Sequence, residues 1–222
     1  MRFAALETSG EWCSVALHVD GEVRAVERRA GQRHSELALP MLHLLLKSFA
    51  LKSGELQAIA FGAGPGSFTG LRIACGLAQG LALARGLPVL GVSSFEAIAE
   101  ESGAARVVAC LDARMREVYY AALEKHGDGW REAIGARCIA PRDAPRPAGG
   151  GWVGCGSGFA TAHPWNETLG AMKLFPEVHA SAGAIARLAA PRLARGEGVD
   201  AGAAAPRYLR DKVAFTRDER GT

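Results

Sequence analysis

The chain has 222 residues, 49% hydrophobic and 22% charged, with 26 Lys and Arg against 23 Asp and Glu. That length admits one domain or two small ones, and that composition is ordinary for a globular protein. A formal net charge of +3, with arginines scattered rather than in blocks, is too mild to argue nucleic-acid binding by itself, and no run reaches the roughly 18 apolar residues of a membrane span.

Glu7 interrupts the opening apolar run, so no signal-peptide core is read. The five cysteines (Cys13, Cys75, Cys110, Cys138, Cys155) show no CxxC spacing. They read as reduced, mostly buried thiols, the pattern of a cytoplasmic protein. Asn166-Glu167-Thr168 fits a glycosylation sequon by chance in such a setting.

In chain order, Arg2 to Thr8 reads as a buried strand and Cys13 to Val19 as a second. Asp20-Gly21 marks a two-residue hairpin, and Glu22 to Arg29 follows as a third strand. The chain thus opens as an antiparallel meander. Leu37 to Phe49 reads as a helix capped by Ser35, with an irregular start at Pro40. Its leucines wrap most of the circumference, which predicts burial on more than one side. Leu56 to Phe61 is a strand, followed by a glycine loop and a helix from about Phe68 to Arg85. Leu87 to Val92 is a strand, and Ser93 or Ser94 caps a helix over Phe95 to Glu101. Strand, helix, strand, helix implies parallel crossovers.

Near residue 103 the pattern restarts. Arg106 to Leu111, Glu117 to Glu124 and Trp130 to Ala140 repeat the meander, an internal duplication. This divides the chain into an N-terminal lobe, 1–103, and a C-terminal lobe, 104–222. Trp152 to Gly158 is a short strand entering a second glycine turn. Ala180 to Arg195 is an amphipathic helix, with Ile185, Leu188, Ala189 and Leu193 inward. The last segment is expected to pack back on the first lobe, and Thr216 to Thr222 to be disordered.

The candidate chemistry centres on Gly62 to Gly86. A strand, a tight glycine turn and a helix N-terminus form a common anion cradle. Yet no Lys follows a Gly at P-loop spacing, the third glycine of a dinucleotide fingerprint is missing, and Pro65 removes a donor. The alternative is a packing device. Gly70, Ala74 and Ala78 line one helical face, and Gly76, Gly80 and Ala84 a neighbouring one. Glycine inside a helix costs about 1 kcal/mol relative to alanine, so these faces imply a close-approaching backbone, including one across a subunit interface. The six histidines include no HxxxH or HExxH pair, and there is no GxSxG. No metal and no nucleophile are therefore assigned. Arg33-His34-Ser35-Glu36 is a polar cluster at a helix start, and Asp112 with Arg114 forms an expected ion pair in a turn.

Gly64-Pro65-Gly66-Ser67-Phe68-Thr69-Gly70-Leu71-Arg72 resembles the signature of the bacterial TsaB (YeaZ) family. Leu6-Glu7-Thr8-Ser9, Arg33 to Glu36 with Pro40, Gly91 to Ser94, Asp112-Ala113-Arg114 with Glu117-Val118-Tyr119, and Pro206 to Arg210 agree in order over nearly the whole chain. Glu7 departs from the family's usual Asp, which weakens an ATP-site reading.

The resemblance implies an α/β chain of the ASKHA (actin/sugar-kinase/Hsp70-like) fold, with two related lobes. Each lobe would carry a mixed sheet opening in a three-strand meander. It implies a non-catalytic scaffold that supports TsaD in forming threonylcarbamoyladenosine next to the anticodon of tRNAs reading ANN codons. TsaE would join the assembly, a homodimer would form when the chain is alone, and tRNA would be reached through the complex. The expected interface comprises Leu37, Met41, Leu42, Leu45, Phe49, Gly70, Ala74, Leu77, Ala78 and Leu81. A vestigial phosphate site would comprise Thr8, Ser9, Gly64, Gly66 and Ser67. No cofactor is expected beyond weak nucleotide binding. The competing readings are an ATP-dependent phosphotransferase or ATPase of the same fold and a glycoprotease-like peptidase.

Overall fold

The structure, a computed structural model, describes residues 1–210. The tail expected to be disordered, Thr216 to Thr222, lies outside the described residues. Two five-stranded sheets of one plan follow each other along the chain. In the first, β1 (Arg2–Glu7), β2 (Trp12–Val19) and β3 (Glu22–Arg29) form an antiparallel meander. β4 (Ala58–Gly64) and β5 (Val89–Ser93) add in parallel beyond β1, giving the order β3-β2-β1-β4-β5.

In the second sheet, β6 (Arg106–Asp112), β7 (Val118–His126) and β8 (Gly129–Ile139) repeat the meander. The short strands β9 (Val153–Cys155) and β10 (Lys173–Phe175) add in parallel beside β6. The registers correspond: Phe3 lies between His18 and Ala58, and Val107 between Leu123 and Val153.

The strand sequences follow from these positions. β1 and β4 are almost wholly apolar because helices cover both faces of the sheet there. β3, EVRAVERR, is an exposed edge strand whose charges discourage pairing with another chain. On one face of the first sheet lie α1 (His34–Ser48) and α2 (Phe68–Leu83), which share a core with Leu6, Val15, Ile59 and Phe61. On the other face a later helix, Ala182–Ala194, packs Ile185, Leu188 and Leu193 on Phe3, Ala16 and Ala60. The last helix thus belongs to the first sheet. In exchange, α3 (Ser94–Ser102) places Phe95, Ile98 and Ala99 against Val107 and Ala109 of the second. The short α4 (Trp165–Leu169) and β10 carry no sequence signal strong enough to announce them.

The start of α1 differs from expectation. The helix begins at His34, so Ser35 lies inside the first turn and does not cap it. His34 is buried, and its Nε2 pairs with the Gly10 carbonyl at 3.0 Å, tying α1 to the β1–β2 turn. Pro40 sits within a continuous helix, on its exposed side, so only the bond to the Glu36 carbonyl is forfeited.

The residues expected at a subunit interface fall into two groups. Met41, Leu42, Leu45, Gly70, Ala74 and Ala78 are buried inside the first lobe and form no outer surface. The sheet takes up the richer of α1's two apolar stripes and the small face of α2. Leu37, Phe49, Leu77 and Leu81 are half-buried at the margin of that core. The Arg24 guanidinium lies 4.1 Å over the Phe49 ring.

Candidate functional site

The glycine loop lies on the turn after β1. Thr8 Oγ1 donates to the Gly70 carbonyl at 2.7 Å, and Ser67 N–H donates to the Ser9 carbonyl at 2.8 Å. Ser67 Oγ caps α2 by accepting from Gly70 N–H at 3.4 Å. Ser9 N–H donates to Glu7 Oε1, and the Ser9 and Ser94 hydroxyls lie 3.4 Å apart. A Cβ on Gly66 would stand 2.6 Å from Ser9 Cβ, and one on Gly70 would fall on the Thr8 carbonyl oxygen. Close approach to the β1–β2 turn therefore dictates these glycines. Of the groups expected to cradle a phosphate, the Thr8 hydroxyl and the Ser9 and Ser67 N–H groups donate within the chain.

Glu7 completes this closed arrangement. It is 1% exposed, and it fits only because Gly62 across the sheet carries no side chain. Burial pushes its carboxyl above the usual carboxylate range, partly offset by the bonds from Ser9. Its second oxygen, Oε2, has no hydrogen-bond partner among the described residues.

A strap crosses from one lobe to the other over this loop. Gln79 Nε2 donates to the Ala204 carbonyl at 2.9 Å, and Arg207 N–H donates to the Ala63 carbonyl at 2.7 Å. Gly64, at φ +111°, lies against the Arg207 carbonyl, which a Cβ there would meet at 2.6 Å. The Tyr208 ring lies 5.4 Å from that of Phe68, and Arg72 Nε donates to the Tyr208 hydroxyl at 3.2 Å. Arg210 then reaches the turn between β6 and β7, where it donates to the Ala113 carbonyl at 2.9 Å and pairs with Glu117.

That turn holds a feature with no sequence signal. Arg114, Met115 and Arg116 stand in succession at φ +61°, +54° and +60°. Left-handed backbone costs a non-glycine residue roughly 1–2 kcal/mol, and no Gly or Asn marks the turn. It persists because it is over-determined. Arg114 N–H donates to Asp112 Oδ1 at 2.8 Å, and the expected Asp112–Arg114 ion pair closes at 3.2 Å. Glu117 N–H donates to the Arg114 carbonyl at 3.0 Å, and Arg210 clamps the far side.

A second candidate surface is the outward side of α1 and α2. Leu39, Leu44 and Leu83 are 44%, 62% and 72% exposed. Gly76 and Gly80 face open space, where an added methyl would meet nothing within 4 Å. Among the described residues no group of three His, Cys, Asp or Glu could hold a metal, and no helix is long and apolar enough to cross a membrane. All five cysteines are free, and burial pushes the Cys13 and Cys155 thiols up to about 11.

Two lobes of the same meander-plus-parallel plan, meeting at a cleft beneath the strap, define a two-lobed α/β chain of the ASKHA type. A family model described as "TsaD: tRNA N6-adenosine threonylcarbamoyltransferase" matches residues 26–150. The chain is 35% identical over 226 residues to the tRNA threonylcarbamoyladenosine biosynthesis protein TsaB of Escherichia coli K12, covering 98% of each. It is 40% identical over 152 residues to the protein of that name from Haemophilus influenzae, covering 63% of this chain and 64% of the relative. The solved structure of YeaZ from Pseudomonas aeruginosa superimposes with a TM-score of 0.87 at 37% identity, covering 94% of this chain and 99% of that one. The chain belongs to the TsaB (YeaZ) family.

Proposed function

We propose that the chain acts in forming threonylcarbamoyladenosine in tRNA, as a non-catalytic subunit that docks on and supports the transferase TsaD. The observation that carries this reading is the outward side of α1 and α2, where Leu39, Leu44 and Leu83 stand in solvent and Gly76 and Gly80 of α2 face no other group among the described residues. Exposed leucines around an open small-residue stripe suit a helix of another subunit, which can approach closely there. Reading the interface on this outer side replaces the buried Met41, Leu42, Leu45, Gly70, Ala74 and Ala78 by their exposed neighbours. Leu37, Phe49, Leu77 and Leu81 remain at its margin.

The same face serves a second copy when TsaD is absent, TsaE joins the pair, and tRNA is handled by the assembly. The chain works in the cytoplasm and needs no cofactor of its own. The non-catalytic role draws support from the glycine loop, where Thr8, Ser9 and Ser67 are already bonded within the chain. An ATP-dependent reading of the fold would need those groups free.

Co-purification with TsaD and a tRNA modification assay with and without this chain test the proposal. Loss of both pairing and modification in the Leu44→Glu, Leu83→Glu variant is expected. Modification by TsaD that proceeds equally well without this chain would overturn it.

A further inference from the structure

Arginines that are scattered in sequence gather around one ridge in the fold. The left-handed turn Arg114-Met115-Arg116 stands between two cavities, of about 370 and 960 Å³. Arg114 and Arg207 line the inner cavity, Arg116 and Arg142 the outer one, and Arg210 lines both. Asp112 and Glu117 are the carboxylates in the two linings. The two linings thus carry five arginines against two carboxylates, a surplus of three positive charges. Arg114 and Arg142 are 86% and 83% exposed at the side chain, and Arg142 reaches its neighbour Asp143 only at 3.9 Å. At the inner rim Arg72 stacks 3.8 Å over Phe68, beside Tyr208, so guanidinium and aromatic planes adjoin there.

We propose that this ridge and its two cavities bind the phosphate backbone of RNA, so that the chain touches tRNA directly. The choice of RNA rests on the reading of the chain as a tRNA-modification subunit. Cations on both sides of a ridge suit successive phosphates of a strand, whereas the phosphates of one nucleotide at the glycine loop would compete for the Thr8 hydroxyl and the Ser9 and Ser67 N–H groups, which already donate within the chain. Phosphate contacts dominate such affinity, and aromatic or guanidinium planes accept unstacked bases. The clamped turn holds Arg114 toward one cavity and Arg116 toward the other, which fixes their spacing before RNA arrives.

The test is fluorescence anisotropy of the full chain with an unmodified tRNA that reads an ANN codon, over a series of salt concentrations. Two double variants remove ridge cations, Arg114→Gln with Arg116→Gln and Arg142→Gln with Arg207→Gln. A third, Arg28→Gln with Arg33→Gln, removes the same charge elsewhere. Each ridge pair should weaken binding about tenfold at physiological salt and flatten the log–log salt slope by roughly 1.5, the release expected for two phosphate contacts. The control pair should leave both unchanged. If the first pair fails to fold, as read by its melting curve, the second pair, whose side chains hold no strained turn, decides.

No tRNA binding by the wild-type chain, an equal effect of the control pair, or complete displacement of tRNA by stoichiometric ATP would each overturn the proposal. So would loss of TsaD pairing in the ridge variants, which would make the ridge a protein contact. Failure of the docking reading is told apart by Leu44→Glu, Leu83→Glu, which should leave tRNA binding by the isolated chain intact.

Discussion

Replacing Gly76 and Gly80 by alanine should stabilise the isolated chain and weaken its pairing at the same time. Neither glycine has a partner among the described residues, since a methyl at either position meets nothing within 4 Å there. Glycine in a helix interior is about 1 kcal/mol less favourable than alanine, so the double variant should gain about 2 kcal/mol. For a chain of this size 1 kcal/mol moves Tm by roughly 2–4 °C, which predicts a rise of about 4–8 °C. Gly70→Ala on the same helix should act in the opposite sense. Its Cβ falls on the Thr8 carbonyl oxygen, and the 2.7 Å bond from Thr8 Oγ1 to the Gly70 carbonyl would be strained with it. Overpacking of this kind costs about 1–3 kcal/mol and a lost hydrogen bond about 1 more. Calorimetry at high dilution separates folding from pairing, and sedimentation with and without TsaD reads the pairing. A lower Tm for the Gly76→Ala, Gly80→Ala chain would refute the open-face reasoning, as would a higher Tm with pairing unchanged.

Met41→Ala should cost about 2–5 kcal/mol in urea unfolding, the usual range for truncating a buried side chain, because Met41 is 5% exposed. Leu44→Ala, at 62% exposure, should stay within about 0.5 kcal/mol; similar losses for the two would contradict the facing of α1. Glu7 supplies a pH signature. Its carboxyl is held above the usual range by burial, so the folded chain keeps that proton after the unfolded chain has released it. Its contribution is fully present below the unfolded value and is lost as pH rises from there through the folded value. Glu7→Gln should therefore be more stable than the wild type at neutral pH and lack this fall, as measured by urea melts from pH 4 to 8. An unchanged slope would show that the carboxyl ionises freely in the native chain.

The fold is legible in the sequence where local chemistry and burial agree. FAAL and AIAF suit inner strands, Asp20-Gly21 turns the first hairpin, and the restart after Gly103 announces the second sheet. α4 and β10 escape such a reading because elements of five and three residues carry no period. The start of α1 is displaced from the local signal because His34 anchors it by a tertiary bond to Gly10, where Ser35 offers a local cap. The all-round apolar pattern of α1 signals two covered sides, but it does not say which leucines the sheet takes. Met41, Leu42 and Leu45 go to the sheet, and Leu44 is left outside. The ridge is hidden for a different reason. Its arginines come from three separate stretches of the chain, and its left-handed turn is built from Arg and Met and held by Arg210. Only the strap that brings Arg210 back across the cleft assembles it.

The docking face is decided by the affinity for TsaD, measured by titration calorimetry, of the wild-type chain and of Leu44→Glu, Leu83→Glu. Both substituted side chains already stand in solvent, so at the high dilution where the chain is monomeric the variant should melt at the wild-type temperature. If the outward side of α1 and α2 is the docking face, two buried charges without partners should weaken binding at least a hundredfold, about 2.8 kcal/mol. An unchanged Kd in a normally folded variant would contradict the account.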